Sequence, residues 1–552
     1  MPVITFNRLD FCKLVGRDLT IEQLERQLPA LGVGWEGADG DEISVEITPN
    51  RPDMLCPEGL ARAFAAFIGL DTGLPEYIAF ESGYRVDVNR AVTEIRPYIA
   101  CAAIKGLKLT DQLIRSLLQL QEKLHISHCR RRAKAAIGVY DLDKISFPLR
   151  YTTADPSFRF TPLGFKLPAS LKSILERHPK GQEHGWIIKD FKSYPLLVDS
   201  RDTVLSMPPI VNGRETAITG KTRNMFIDVT GTDSKTVSEV LNIVACALAD
   251  RGGKVYAVTV KYPDRSALTP DFSPKVMAVD LAYLNRLLGI ELTAAEVIKL
   301  LRKMRFDAIE FVDAKVAMIE VTAPAYRTDL MHKIDLVEDV AIARGYQSFE
   351  PALPAIATVS EESAIESFSH KLRDLMTGLG MQETLTYILS NRDKLFARMA
   401  VPDQPVACTV NPRTIEFTAL RTWLLPSLLE ALAANRHNPF PQKLFEVGDC
   451  VLLDPATDTG TREERKLAAV ISHDSANLTE ARSVVEALLK NLGLRYEIRP
   501  YSHPSFIETR VGKIIVNKKL AGFFGEIHPV VLGRFGLEKP VIALELDVRM
   551  LT

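Results

Sequence analysis

Two stretches of this chain concentrate groups that could do chemistry. The first, SMPPIVNGRETAITGKTRNMFIDVTGTD, packs Ser206, Asn212, Thr216, Thr219, Thr222, Asn224, Asp228, Thr230 and Asp233 into 28 residues. Hydroxyls, an amide and a carboxylate gathered in this way can hydrogen-bond a polar ligand, and the carboxylate can accept a proton or hold a water. A strand-turn-strand with polar loops is the alternative reading of the same residues. The second stretch, PAYRTDLMHKIDLVEDVAIARG from Pro324 to Gly345, carries Asp329, Asp335, Glu338 and Asp339. Helical spacing crowds Asp335, Glu338 and Asp339 on one face, where like charges cost roughly 0.2–0.5 kcal/mol per pair. A hard cation such as Mg²⁺, which takes one or two carboxylates plus water, would relieve that conflict. A solvated acidic face balanced by Arg327, Lys333 and Arg344 stays open beside it.

Other chemistries find little support. Gly220-Lys221-Thr222 has the end of a phosphate loop, but position 215 is Glu where the motif needs glycine, so it reads as a turn. The ten histidines are dispersed; His125 and His128 share a helix face but lack a third metal ligand. The seven cysteines stand at 12, 56, 101, 129, 246, 408 and 450, an odd number without a CxxC pair. That pattern opposes a disulfide framework and a zinc ribbon and fits a reducing compartment. A net charge of −1 gives no global pull toward nucleic acid, so any RNA contact needs a local patch or a partner. The basic run Arg130, Arg131, Arg132 and Lys134 is one such patch, at the end of a helix carrying Ile114, Leu117, Leu118, Leu120 and Leu124. No secretory signal or membrane-spanning run is visible, so a cytoplasmic protein is expected.

At 552 residues, with 46% hydrophobic and 25% charged residues, several domains must position these groups. Four segments are read. Residues 1–85 alternate strand and helix signals and contain Asn50-Arg51-Pro52-Asp53 ahead of a helix from Glu58. Residues 90–268 read as a mixed α+β domain, with strand-like runs at 135–140, 185–189 and 216–219 among others. Residues 273–352 contain a capping box, Thr293 with Glu296, and the acidic helix stopped by Gly345. Residues 356–552 follow a proline-rich stretch and read as an antiparallel α+β module.

The string Tyr326-Arg327-Thr328-Asp329, Asp335-Leu336-Val337-Glu338-Asp339-Val340 and Ala343-Arg344-Gly345-Tyr346 resembles the signature of one domain of the phenylalanyl-tRNA synthetase beta-subunit family. Asn50-Arg51-Pro52-Asp53 followed by Glu58-Gly59-Leu60-Ala61-Arg62 is a second match. Leu420-Arg421-Thr422, Asn435-Arg436 and Leu444-Phe445-Glu446-Val447-Gly448 stand where the family carries degenerate class II synthetase motifs. The resemblance runs through all four segments and is to the short archaeal and eukaryotic kind.

It implies a multidomain α+β fold: an N-terminal α+β domain, a mixed α+β editing-like domain, a helix-turn-helix-like metal-binding domain, and a C-terminal antiparallel domain like the class II catalytic fold. The last would have lost ATP and amino-acid activation, since VIALELDVRMLT lacks the glycine-rich strand and helix of the third motif. It implies Mg²⁺ bound by Asp329, Asp335, Glu338 and Asp339 at the contact with an alpha subunit. It also implies a tetramer of two alpha and two beta chains that joins phenylalanine to its tRNA with ATP. The 90–268 domain would hydrolyse tyrosyl-tRNA made in error, with Asn212, Thr222, Asp228 and Thr230 as pocket candidates. A scaffold or RNA-binding protein built from synthetase domains, without enzymatic activity, is the competing reading; an autonomous editing hydrolase is a third.

Overall fold

In the run Met225–Gly231, alternate side chains must face opposite ways. Met225, Ile227 and Val229 enter one apolar core and Phe226 enters another. This strand, in a computed structural model that describes residues 2–552, is the next-to-last strand along an eleven-stranded sheet. It pairs antiparallel with Tyr98–Lys105 on one side and Ala135–Asp141 on the other. The helix Ser234–Asp250, capped by Asp233 (its carboxylate accepts from Thr236 N at 2.8 Å), covers one face. The other face closes over Tyr140, Tyr151, Leu197, Leu205 and Val258.

Residues before this region also build the sheet. Ala79–Phe80 and Arg85–Val88 run parallel to Lys254–Lys261. The strands Val3–Asn7, Glu42–Glu46 and Gly34–Asp39 form a separate three-stranded antiparallel sheet with Glu42–Glu46 in the middle. The helix Pro57–Phe67 behind it is buried over almost its whole length. Two expected strands are not strands: Gly185–Ile187 is a 3₁₀ turn, and 216–219 is an irregular loop.

Farther on, Lys275–Asp280, Val316–Ala323 and Asp307–Asp313 form a three-stranded antiparallel sheet, in that order. The helices Leu281–Leu288, Ala294–Lys303 and Lys333–Arg344 pack with it. Thr293 and Glu296 make the expected capping box, and Gly345, at φ 89°, ends the acidic helix. One continuous apolar cluster runs from Ile4 to Ala343, so these parts share a core.

The chain divides between Leu353 and Pro354. The second unit is built on a seven-stranded sheet ordered Gln382–Glu383, Gln442–Leu453, Thr461–Ser472, Val541–Asp547, Lys519–Ile527, Phe506–Val516, Tyr496–Pro500. All pairings are antiparallel except the first. Helices Ala364–Gly378 and Leu478–Asn491 contribute to the core on one face; Leu425–Ala434 and Pro529–Phe535 contribute to that on the other. Among the described residues no helix is long and apolar enough to cross a membrane, and the cysteines are free thiols.

Candidate functional site

The face of Met225–Gly231 that carries Phe226 also carries Asp228 and Thr230, and both line a cavity of about 280 Å³. Asp228 lies opposite Gly138 and Thr230 opposite Ala136 on the neighbouring strand. Ser206, Asn212, Tyr140, Gln121, Arg132 and Lys180 complete its polar lining; Leu118, Ile137, Val139 and Ile218 are among its apolar walls. Met207, Pro208 and Pro209 form part of its wall.

Asp228 is 1% exposed. Burial pushes its carboxyl up to about 7, against the opposite pull of the Tyr140 hydrogen bond and the Arg96 charge. The Tyr140 hydroxyl donates to Oδ1. Oδ2 has no hydrogen-bond donor among the described residues. Gly138 makes this pair fit: a Cβ there would collide with both the Tyr140 hydroxyl and Asp228 Oδ1. Beneath Thr230, the buried Arg96 donates to its Oγ1 at 3.0 Å and its carbonyl at 2.7 Å. Ser206 Oγ is buried beside the tyrosine hydroxyl without a partner of good hydrogen-bond geometry. Asn212 Nδ2 donates to the Val139 carbonyl at 3.2 Å, which fixes its amide at the cavity wall.

Thr222 is the exception among the four pocket candidates. Its hydroxyl donates to Asp141 Oδ2 at 2.8 Å and accepts from Thr219 N at 3.0 Å, so it closes a turn and is not among the cavity residues. Sequence reasoning missed Tyr140 and Gly138. Their signal was a glycine two residues before a tyrosine in a strand whose other residues, up to the terminal Asp141, are apolar.

The basic run is not a helix end. The helix stops at Ile126, and Arg130, Arg131 and Arg132 are all left-handed, at φ 47°, 51° and 66°. Arg132 turns inward and donates to the carbonyls of Pro209 and Ile210 at 3.0 and 2.9 Å. His125 is a buried acceptor for the Ile137 N–H at 2.9 Å.

The acidic helix corrects a second expectation. Asp335, Glu338 and Asp339 do not share a face in charge conflict. Asp335 caps the helix start, its Oδ2 accepting from Met331 N and His332 N at 2.7 Å each. Glu338 is exposed. Asp339 is buried, and Arg327 Nη2 reaches its Oδ2 at 2.7 Å. Asp329 precedes the helix and takes Arg327 in a two-bond fork, both bonds 2.8 Å. Burial raises the Asp329 carboxyl, but Arg327 outweighs it and holds the group at about 2. Burial is the larger influence on Asp339, whose carboxyl is raised. Arg51 and Asp53 repeat the same fork at 2.9 and 2.8 Å. The positive charge that quiets these carboxylates is therefore a guanidinium. As arranged here the four do not fit a magnesium shell: Asp329 and Asp339 are engaged by Arg327, Asp335 by backbone, and Glu338 is exposed. Among the described residues no group of three or more His, Cys, Asp or Glu is set to hold a metal ion.

In the second unit, Arg421 is 2% exposed and its Nη1 meets Glu446 Oε1 at 2.8 Å. The same guanidinium donates to the Asp449 carbonyl at 2.9 Å and to Thr386 Oγ1 at 2.7 Å. Its charge is spent within the domain.

Three family models match in chain order: "B3/4 domain" over residues 108–243, "tRNA synthetase B5 domain" over 277–346, and "Phenylalanyl tRNA synthetase beta chain CLM domain" over 350–548. Fold and matches together define a subunit of an aminoacyl-tRNA synthetase. A curated protein of Archaeoglobus fulgidus named phenylalanine–tRNA ligase beta subunit is 40% identical over 99% of this chain and 98% of its own. Those of Pyrococcus abyssi and Methanocaldococcus jannaschii are 40% and 42% identical, covering 100% and 99% of this chain and 100% of their own. A crystal structure of an N-terminal fragment of the Pyrococcus horikoshii phenylalanyl-tRNA synthetase beta subunit superposes with a TM-score of 0.60. It has 38% identity and covers 62% of this chain and 99% of its own. The chain belongs to the phenylalanine–tRNA ligase beta-subunit family.

Proposed function

We propose that this chain is the beta partner of a ligase that joins phenylalanine to its tRNA with ATP and Mg²⁺ in a synthetic site on an alpha chain, and that the Asp228 cavity hydrolyses tyrosyl-tRNA. The observation that carries the hydrolytic reading is the buried Asp228, with Tyr140 on one oxygen and the other free toward a small, largely apolar cavity. A synthetic pocket that accepts phenylalanine excludes a substrate bearing one more hydroxyl by only ~100-fold. A second pocket that hydrogen-bonds that hydroxyl does better, because phenylalanine leaves its buried carboxylate unpaired. The tyrosine phenol would donate to Asp228 Oδ2. Water then adds to the ester carbonyl, the bond from the carbonyl carbon to the ribose oxygen breaks, and that oxygen takes a proton. Tyrosine and intact tRNA leave.

The partner is supported by the surface of the second unit. Leu385, Tyr387, Val410 and Ile415 are 77–99% exposed, beside Ile388, Leu389 and Phe417. Clustered exposed apolar side chains of this kind mark a surface that another chain covers. The Arg421–Glu446 pair favours a scaffolding part over ATP binding in this unit. Asp335 and Glu338, outside the reach of Arg327, are the carboxylates we assign to the alpha contact. A tetramer of two alpha and two beta chains in the cytoplasm completes the proposal, with functional parts 1–85, 90–268, a helix-turn-helix-like 273–352, and 356–552.

The test is co-expression with an alpha chain of the same family. The two should co-purify in equal amounts and aminoacylate, and tyrosyl-tRNA should be hydrolysed by the wild-type complex but accumulate with Asp228→Ala. Full aminoacylation by the alpha chain alone refutes the partnership. Unchanged hydrolysis in the variant refutes the pocket. An RNA-binding scaffold would show neither activity.

A further inference from the structure

Beside the Asp228 cavity lies a second one of about 330 Å³. Arg132 and Lys180 belong to the walls of both. The first cavity, at about 280 Å³, lies just below the roughly 300–1,000 Å³ usual for small-molecule sites, and the two together fall well inside that range. We propose that the second cavity seats the 3′-terminal adenosine of the tRNA, with its base against Trp186 and its ribose toward His184, while the ester passes over Arg132 into the first cavity. The proposal rests on the hydrolytic reading of the Asp228 cavity.

Three observations point to a nucleoside. Trp186 is 53% exposed at the cavity wall, an aromatic plane available for base stacking. His184 is only 7% exposed, yet its Nδ1 is buried without a partner. Its Nε2 lies 3.3 Å from Glu183 Oε1, so a proton on Nε2 faces that carboxylate and the lone pair is left on Nδ1. That lone pair can accept from a ribose hydroxyl. Burial, with the nearby Arg132 charge, pulls His184 down to about 4, which keeps the ring neutral at pH 7. Third, the charges around the cavity favour an anion by one: Arg131, Arg132 and Lys180 against Glu122 and Glu183. A phosphate leading to the terminal nucleoside meets that balance at the rim.

Arg132 is the hinge of the arrangement. Two carbonyls fix its Nη1, while its Nε is buried without a partner between the cavities. A cation held there faces the place where negative charge develops on an ester carbonyl under attack. The left-handed backbone of Arg130–Arg132 folds the turn so that this side chain enters the wall.

The experiment uses the full chain. Trp35→Phe with Trp423→Phe leaves Trp186 as the single tryptophan reporter. A tRNA acceptor-stem minihelix ending in CCA should change its fluorescence, and the same minihelix lacking the terminal adenosine should not. Equal responses, or none, overturn the proposal. In parallel, Trp186→Ala should raise KM for tyrosyl-tRNA about tenfold or more with kcat within about twofold, and Trp186→Phe should restore it. An unchanged KM in an actively hydrolysing Trp186→Ala variant overturns the proposal too. If wild-type chain hydrolyses nothing, the editing reading fails separately, and the minihelix response alone decides the nucleoside site.

Discussion

Replacing Asp228 by Asn should make the strand Met225–Gly231 more stable, and more so as pH rises. The folded carboxyl titrates near 7, against an ordinary 3.8. A raised carboxyl means that the folded state holds its proton longer than the unfolded one, so this group erodes stability as pH climbs from 3.8 toward 7. The full gap corresponds to ~4 kcal/mol. Between pH 5.5 and 8.5 the part still to be lost is ~2 kcal/mol. Asn keeps an acceptor for the Tyr140 hydroxyl and has no charge to desolvate. Amide exchange of Met225–Gly231, followed by mass spectrometry on the full chain, avoids treating a two-unit protein as one transition. The ratio of protection, variant over wild type, should grow about thirtyfold from pH 5.5 to 8.5. A ratio that does not move with pH would refute the reasoning: Asp228 would then titrate as a solvated carboxylate, and burial would not govern the cavity.

Four further outcomes are expected. Hydrolysis of tyrosyl-tRNA, read as kcat/KM against pH, should rise through about 7 as Asp228 ionises, and Asp228→Asn should flatten that limb. Gly138→Ala should abolish hydrolysis and lower the melting temperature, because its methyl group must displace Tyr140 or Asp228; overpacking of this kind costs ~1–3 kcal/mol. Arg327→Met should destabilise the first unit by ~3–5 kcal/mol by leaving Asp329 and Asp339 buried without their cation, whereas EDTA should not shift the melting temperature of the isolated wild-type chain. Leu385→Asp with Tyr387→Asp should weaken copurification with an alpha chain while circular dichroism of this chain stays unchanged.

The polar pocket was legible where its residues sit in an apolar strand. Asp228 and Thr230 interrupt a buried run, and alternation alone puts them on one face. Thr222 could not be told from them, because a hydroxyl that closes a turn and one that meets a ligand look alike until Asp141, 81 residues away, is seen beside it. Tyr140 and Gly138 became partners of Asp228 only through strand register. The acidic helix misled for a related reason. Spacing along a helix predicts which carboxylates are neighbours, but the charge that neutralises Asp339 arrives from Arg327, outside the helix. Element types survived best where capping chemistry marked them, as at Thr293 and Glu296. They failed at 185–189 and 216–219, where short apolar runs serve loops that line or support the cavities.

The sharing of one apolar core from Ile4 to Ala343 bears on how this protein can be cut or grafted. Arg251, at the end of the helix that backs the pocket sheet, is held by Asp10 at 2.7 Å and Glu58 at 2.6 Å, and Arg62 is tied to Asp250. A fragment trimmed to the pocket region alone would carry a guanidinium stripped of both acids, a bare sheet edge where residues 79–88 had paired, and an open apolar flank. Such a piece invites aggregation before it can be assayed. The pocket is inheritable only together with its neighbours, so transplants between relatives should exchange the whole of residues 2–353.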